Sequence, residues 1–488
     1  MESPRNSTYC LLSDGDLHFL PYQDVSRAGG LPYHSFLASK TMSSLAASAT
    51  ASQPNSGSDM ESQSASGSSS LCEGVPGTHS LQMSALLNRY ATHALYLPNI
   101  YIEPSNTGNH EETKKMLCTI FPHWNDESQI SVKQFTGGIT NMLLECTMYH
   151  QNTESHEKVL VRTYGRGTGM IIDRDREFVS HLVINSVNLA PPIHARFGNG
   201  LVYGFIEGRS LEFTELADER LYPLIAAKLG QWHQQVQVDA IEECLAKLRR
   251  EFRGSKPESN ASDLWSVISN WIQLLPEIEG ITSSCTQNID IREVQDPQAS
   301  LVDVLRAELA WLRSQLNSKS PLVASHCDLL SGNVIISEDL SQKLETGLSA
   351  SEMEYYMQHN PISFIDYEYM VKAPRAFDIS NHFMEWQGFN CERHRIPKAE
   401  TSNRLLREWC AAYLGMRDAD DDKNAIDDLI SEISLHYGLP GFYWGIWSGI
   451  QSGISLIDFD YSRYAGERIQ EYWDWKRRFR TQTPGPHF

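Results

Sequence analysis

Ser325-His326-Cys327-Asp328-Leu329-Leu330-Ser331-Gly332-Asn333, answered downstream by Phe364-Ile365-Asp366-Tyr367-Glu368-Tyr369, is the stretch whose reading decides the fold of this chain. An Asp with an Asn five residues later, then a second Asp at the end of an apolar strand, is the acidic hardware of phosphoryl transfer. In that pattern the first Asp orients the acceptor hydroxyl, the Asn reaches a magnesium ion, and the second Asp joins the metal to nucleotide phosphates. Here the positions are Asp328, Asn333 and Asp366, the last closing the strand-like run Ile362-Ser363-Phe364-Ile365. Magnesium suits Asn333 and Asp366, because it takes hard oxygen ligands, keeps waters and uses only one or two protein carboxylates. Such a run also arises by chance in loops. Two further elements, upstream and in the right order, set it apart.

The first is Thr136-Gly137-Gly138-Ile139-Thr140-Asn141, between two candidate strands. Paired glycines let backbone N–H groups approach phosphate oxygens that a side chain would block, although a Gly-Gly hairpin turn is equally natural. Gly137, Gly138, Thr140 and Asn141 are therefore candidate nucleotide-binding residues. The second is Arg162 in Val159-Leu160-Val161-Arg162, placed as a bidentate, permanently charged phosphate clamp, with Glu177 on the next helix to fix its direction. An exposed strand arginine is the plain alternative. For Asp328, positioning the acceptor oxygen in line matters more than early proton removal, because the transition state is loose. His326 reads as a hydrogen-bonding brace of the loop. Asp378, in Ala376-Phe377-Asp378-Ile379-Ser380-Asn381-His382, reads equally well as an acceptor holding that loop or as a helix N-cap.

Periodicity predicts strands over 130–135, 141–148, 158–164 and 201–206, with a helix over 173–185. A further helical stretch, 114–121, precedes them and stops at Pro122. Beyond Gly208 the pattern turns helical, over 221–236, 302–316, 403–414, 426–437 and 442–458. Polar insertions at 253–263, 280–300 and 338–360 are expected to be surface loops. Residues 1–85 include a Ser-, Ala- and Gly-rich stretch too poor in large apolar side chains to repay the entropy of ordering, and are expected to be a disordered extension. The expected organisation is that extension, an N-terminal nucleotide-binding lobe over 86–209, and a helical lobe over 210–488 carrying the catalytic and acceptor sites. At 488 residues the chain is too long for one core, which fits two lobes. The acidic run Asp418–Asp422 resembles a calcium loop only superficially, since Lys423 and Leu429 occupy the positions that need Gly and Glu.

A formal net charge of -20 excludes the basic stripe a nucleic-acid binder needs, and is compatible with a cationic small substrate. Nine cysteines without a C-x-x-C pair suggest reduced thiols in the cytosol. The N-terminus lacks the order of a secretory signal, and the apolar stretch 442–457 is broken by Gln451, short of the roughly 20 residues a membrane span requires. A soluble, cytoplasmic protein without a transmembrane segment is expected.

Taken in order, Gly137-Gly138-Ile139-Thr140-Asn141, Val159 to Gly165, Asp173 to Glu177, Asn199 to Tyr203, His326 to Asn333, Phe364 to Tyr369, Ala376 to Phe383 and Ile457 to Tyr461 resemble the ethanolamine-kinase branch of the choline/ethanolamine kinase family. The resemblance covers about 110 to 480. It implies an α+β, bilobed protein-kinase-like fold: a small antiparallel-sheet N-lobe with one helix, and a larger, mainly helical C-lobe. It also implies ATP and Mg2+ as cofactors and ethanolamine as acceptor, with choline as the alternative substrate and a homodimer entertained as the assembly. Its phosphomonoester product would enter phospholipid synthesis. By the same resemblance Phe205 and Ile206 line the adenine pocket through their backbone. Glu385 is the ammonium-binding carboxylate, Glu368 belongs with it, and Trp444, Trp447 and Tyr464 are candidate walls. Choline favours an aromatic cage and ethanolamine favours oxygen acceptors, and both kinds of group are present. Two departures stand out: Cys327 where the family usually has Asn, and Gly204 where it has a larger polar residue. A catalytically silent scaffold is the competing reading from another class, opposed by the survival of Asp328, Asn333 and Asp366 together.

Overall fold

Along β3 (Asn141–His150) the side chains of Met142, Leu144, Cys146 and Met148 are buried in strict alternation, so this segment must present one face to a core. It pairs antiparallel with β4 (Ser155–Tyr164) on one side and β2 (Ile130–Phe135) on the other. β4 continues the sheet to β6 (Gly200–Gly204) and β5 (Ile193–Phe197), and β1 (Leu95–Leu97) closes the edge parallel to β5. The computed structural model of the chain describes residues 95–103, 110–135, 141–150, 155–165, 167–252, 261–416, 421–455 and 457–482. The extension expected over 1–85 and the glycine turn over 136–140 lie outside them.

Two helices flank this sheet, at the two stretches whose pattern is helical. α1 (Glu111–Ile120) buries Met116 and Leu117 with Trp124 against the alternating face. α2 (Arg174–Ser186) begins at Asp173, whose carboxylate caps the helix by accepting from the Arg176 N–H. It puts Phe178, Val179, Leu182 and Val183 into a core shared with the helical lobe. Residues 205–208 then leave the sheet and lead to β7 (Arg209–Ser210), which pairs with β9 (Val334–Ile336) of the second body. Gly208 makes this possible: its φ is 136°, and a Cβ there would lie 2.1 Å from the carbonyl oxygen of Ile336. We propose 205–208 as the junction of the two lobes.

The second body contains α3 (Tyr222–Gln235), α4 (Val238–Phe252), α5 (Leu264–Leu274), α6 (Glu279–Gln287), α7 (Leu301–Leu316), α8 (Glu338–Thr346), α9 (Ala350–Gln358), α10 (Arg375–Met384), α11 (Arg404–Tyr413), α12 (Lys423–His436), α13 (Leu439–Ile454) and α14 (Tyr461–Gln482). Two short antiparallel ribbons cross it. One joins β9 to β10 (Ile362–Phe364), and the other joins β8 (Leu322–Ser325) to β11 (Val371–Pro374). The stretches 280–300 and 338–360, expected to be loops, hold α6, α8 and α9. Their helices are polar and bury few residues, so apolar periodicity is faint, while serine caps at Ser337 and Ser349 start α8 and α9. Asp422, the end of the acidic run, caps α12 by accepting from the Ala425 N–H. Among the described residues no helix is long and apolar enough to cross a membrane.

Close helix contacts depend on glycine. A Cβ on Gly230 of α3 would sit 2.2 Å from the Tyr413 carbonyl oxygen at the end of α11. Gly230→Ala is expected to destabilise the fold by about 1–3 kcal/mol through overpacking. Urea unfolding measures this directly, and an unchanged midpoint would mean that the helices have room to part.

Candidate active site

The β8 strand delivers Ser325-His326-Cys327-Asp328 to the cleft, and the turn after β10 delivers Asp366. Ribbon pairing and two hydrogen bonds bring these segments together. The Ile365 N–H donates to the Asn333 carbonyl at 3.0 Å, and His326 Nε2–H donates to the Ile365 carbonyl at 3.0 Å. Asn333 turns its amide nitrogen back to Asp328, donating to the backbone carbonyl at 2.7 Å and to Oδ2 at 3.1 Å. That leaves the amide oxygen Oδ1 as the atom Asn333 can offer a cation.

The loop is held from behind by Asp378, 0% exposed on α10. Its Oδ2 accepts from the His326 N–H and its Oδ1 from the Cys327 N–H, both at 2.8 Å. His233 Nε2–H donates to the same carboxylate at 2.9 Å, while its Nδ1 accepts from the Tyr413 hydroxyl. Burial alone would raise the Asp378 carboxyl, but the His233 bond, the His233 and His326 rings and the Cys327 amide hold it below the usual carboxylate range. Of the two expectations for Asp378, the loop-holding acceptor describes its contacts. The helix begins instead at Pro374, which makes no side-chain cap. Burial lowers the affinity of His326 for a proton. A neutral ring with the proton on Nε2 satisfies both of its contacts, since Nδ1 faces the Asp328 N–H.

Facing this loop is a cluster of buried opposite charges drawn from both lobes. Arg162 Nη2 reaches Asp366 Oδ1 at 2.8 Å and Glu368 Oε2 at 2.5 Å, and its Nε lies 3.5 Å from Glu177 Oε1. Arg174 Nη1 bonds Glu177 and Glu368, each at 2.9 Å, and its Nη2 reaches Asn141 Oδ1 and Thr168 Oγ1. Asn141 completes the cluster by donating to Glu368 Oε2 at 2.9 Å. Glu368, expected in the acceptor pocket, braces the two arginines: its Oε2 accepts from three side chains. Burial, followed by the charges of Asp366, Glu385 and Glu368, pushes the Asp328 carboxyl well above its usual range. Burial, only partly opposed by Arg162, pushes Asp366 up to about 6, with Glu368 adding to the rise.

These donors fit a hard dication. The buried Asp328 carboxyl, the partly exposed Asp366 carboxyl whose charge disfavours its ionisation, and a neighbouring amide oxygen form an oxygen set that a divalent ion would relieve. Of the residues expected around the acceptor, Glu385 Oε1 lies 3.1 Å from Nη1 of the buried Arg468, which also pairs through Nε with Glu471 and donates to the Tyr464 hydroxyl. Trp444 and Trp447 sit edge to face, centroids 5.3 Å apart, both against Tyr369. Their indole N–H groups donate to Asn381 Oδ1 and to the Tyr369 hydroxyl. Asn381 in turn donates to the Cys327 carbonyl, so the aromatic wall is fastened to the catalytic loop.

The family model described as choline/ethanolamine kinase matches residues 132–473. The chain belongs to the choline/ethanolamine kinase family. It is 30% identical over 368 residues to ethanolamine kinase 1 of Mus musculus, spanning 74% of this chain and 88% of that protein. The solved ethanolamine kinase of Plasmodium vivax is similar at 26% identity with a TM-score of 0.57, covering 83% of this chain and 95% of its own. A choline kinase from Cryptosporidium parvum, 20% identical with a TM-score of 0.52 over 77% of this chain and 97% of its own, shares the fold.

Both departures from the family pattern have a structural setting. Cys327 has φ 65°, in the left-handed region that Asn tolerates better than Cys, and the loop is braced through its backbone by Asp378 and Asn381. Gly204 ends β6 with its Cα packed on Pro191 and Pro192, where a Cβ would meet carbons at 3.1 and 3.2 Å. Phe205 and Ile206 follow outside the strand, with Lys158 Nζ 5.0 Å above the Phe205 ring. Gly137, Gly138 and Thr140 lie outside the described residues. Sequence reading missed Arg174, His233, Asn381 and Arg468. Each makes at least one contact with a residue distant in the chain, which spacing cannot show, although Arg174 and Asn381 stood within the quoted runs Asp173 to Glu177 and Ala376 to Phe383.

Asp378→Asn would place an amide NH2 against one of the two loop N–H groups. A loss of about 1–3 kcal/mol in unfolding free energy is expected, with kcat lower by up to about 10²-fold as the loop shifts. Unchanged denaturation and turnover would show that the loop holds itself.

Proposed function

We propose that this kinase transfers the γ-phosphoryl group of ATP to the hydroxyl of ethanolamine, giving phosphoethanolamine and ADP for phosphatidylethanolamine synthesis. The observation that carries the proposal is the meeting of Asp328, Asn333 and Asp366 beneath Arg162. Asp328 orients the acceptor hydroxyl and takes its proton as the new O–P bond forms and the bond to the ADP oxygen breaks. Arg162, freed in part from Asp366, holds phosphate oxygens, and Glu177 and Glu368 keep its guanidinium aimed. Asn141, the first described residue after 136–140, donates to the same Glu368 carboxylate. Asn333 Oδ1 and Asp366 would hold Mg2+. When bound, the ion screens the carboxylates and the phosphate charge, favouring the ionised forms of Asp328 and Asp366.

Ethanolamine as acceptor is supported by the names of the relatives and by oxygen acceptors near the cleft, Glu385 foremost. A second reading, choline, is favoured by one observation: Tyr369, Trp444 and Trp447 offer faces suited to a quaternary ammonium. Against it, both indoles are buried and fastened by hydrogen bonds. The proposal places the enzyme in the cytoplasm, supported by seven described cysteines that are all unpaired, and includes a homodimeric assembly.

Phosphotransfer with ATP and Mg2+ is expected to show a higher kcat/KM for ethanolamine than for choline, and the reverse order would overturn the substrate assignment. Asp328→Ala is expected to lower kcat by about 10²–10⁴-fold with circular dichroism unchanged; full turnover would remove Asp328 from the chemistry. Because Asp366 is pushed up to about 6, protons compete with the cation below that pH. The Mg2+ concentration for half-maximal activity is therefore expected to rise as pH falls from 7.5 to 5.5, and a flat profile would contradict the role of Asp366.

A further inference from the structure

At the end of the β3–β4 hairpin opposite the cleft, three side chains from three parts of the chain converge. His123 lies in the turn after α1, His150 is the last residue of β3, and Glu157 is on β4. Strand register explains two of them: Met148 pairs with Glu157 and His150 with Ser155, so His150 and Glu157 are diagonal neighbours on one face. Glu157 Oε2 lies 2.7 Å from His123 Nε2 and 3.5 Å from His150 Nε2, and the three ligand atoms are all within 4.8 Å of one another. The two imidazole planes differ by only 17°, with centroids 6.0 Å apart, so both rings turn a nitrogen to the same oxygen.

A plain histidine–carboxylate hydrogen bond would account for the shorter contact alone. Three features go further. Two imidazole nitrogens and a carboxylate oxygen are a donor set for zinc, and bonds of about 2.0–2.1 Å put tetrahedral donors about 3.3 Å apart, between the two distances seen. The carboxylate is also supported from outside: the indole N–H of Trp124, 1% exposed, donates to the same Oε2 at 2.6 Å, as outer partners orient metal-binding carboxylates. Finally, His123 and Glu157 are half exposed, which leaves an ion a route in and room for water.

We propose that His123, His150 and Glu157 form a binding site for a zinc-class divalent cation, with water completing a tetrahedral shell. Imidazole ligands discriminate against magnesium, so this site and the catalytic cleft select different ions. The ten residues of β3, at about 3.4 Å each, put the two about 30 Å apart along the strand. The ion would clamp the turn after α1 to the hairpin end and take no part in phosphoryl transfer.

The test uses the full chain without a histidine tag, titrated with Zn2+ by calorimetry in excess Mg2+, and with Co2+ followed by visible absorption. Wild type is expected to bind one ion more per chain than the double variant His123→Ala/His150→Ala. Glu157→Gln should bind that ion at least about tenfold more weakly, since even outer partners are worth that much. Zinc should raise the melting temperature of wild type and not of the double variant. Zinc binding by both variants equal to that of wild type overturns the proposal. So does loss of the extra ion in Asp366→Asn with its retention in the double variant, which would put it in the catalytic cleft.

Discussion

The buried cluster of Arg162 and Arg174 with Glu177, Asp366 and Glu368 is the interaction on which the cleft depends. Arg162 comes from β4, Arg174 and Glu177 from α2, and the other two carboxylates from the turn after β10. The cluster therefore stitches the sheet lobe to the helical lobe at the point where the reacting groups meet. Desolvating five charges is tolerable only because each is paired, and removing a single partner from such a set typically costs about 3–5 kcal/mol. The set carries three acids against two bases, and Asp328 lies within reach of their field. That excess negative charge suits the cleft to a dication and anchors both arginines.

A second network, centred on the Asp378 carboxylate, lies behind the first. Asp378 accepts from two successive backbone N–H groups and from His233, and Asn381 on the same helix joins the Cys327 carbonyl to the Trp444 indole. One turn of α10 thus sets the catalytic loop and the aromatic wall relative to each other. Residues such as Cys327 and Asp366 can then be held at positive φ, where an isolated chain would relax to ordinary backbone conformations. Such rigidity suits phosphoryl transfer, since proximity is most of what a loose transition state asks of a protein.

Much of the scaffold was legible locally. The runs 130–135, 141–148 and 158–164 became strands, the middle one alternating strictly; 173–185 starts with an aspartate cap and became α2. β1 and β5 escaped notice because three to five residues carry too little periodicity to stand out. The helix α14 was hidden for another reason. It is rich in charge, yet Arg468 and Lys476 are 0% exposed, because Glu385, Glu293 and Glu308 outside the helix, with Glu471 one turn along it, neutralise them. A hydropathy pattern cannot report burial that distant partners make tolerable.

Residue types and spacing alone determined the order of the elements, the oxygen set of Asp328, Asn333 and Asp366, and the class of chemistry that such a set serves. These are properties of short segments, written within a turn or strand. The tertiary structure alone decided that Glu368 braces two arginines, that Asp378 holds the loop of Asp328, and that Trp444 is tied to Cys327 through Asn381. Each of those roles is a hydrogen bond or ion pair between residues tens to hundreds of positions apart, and only folding creates the short distance on which such forces act.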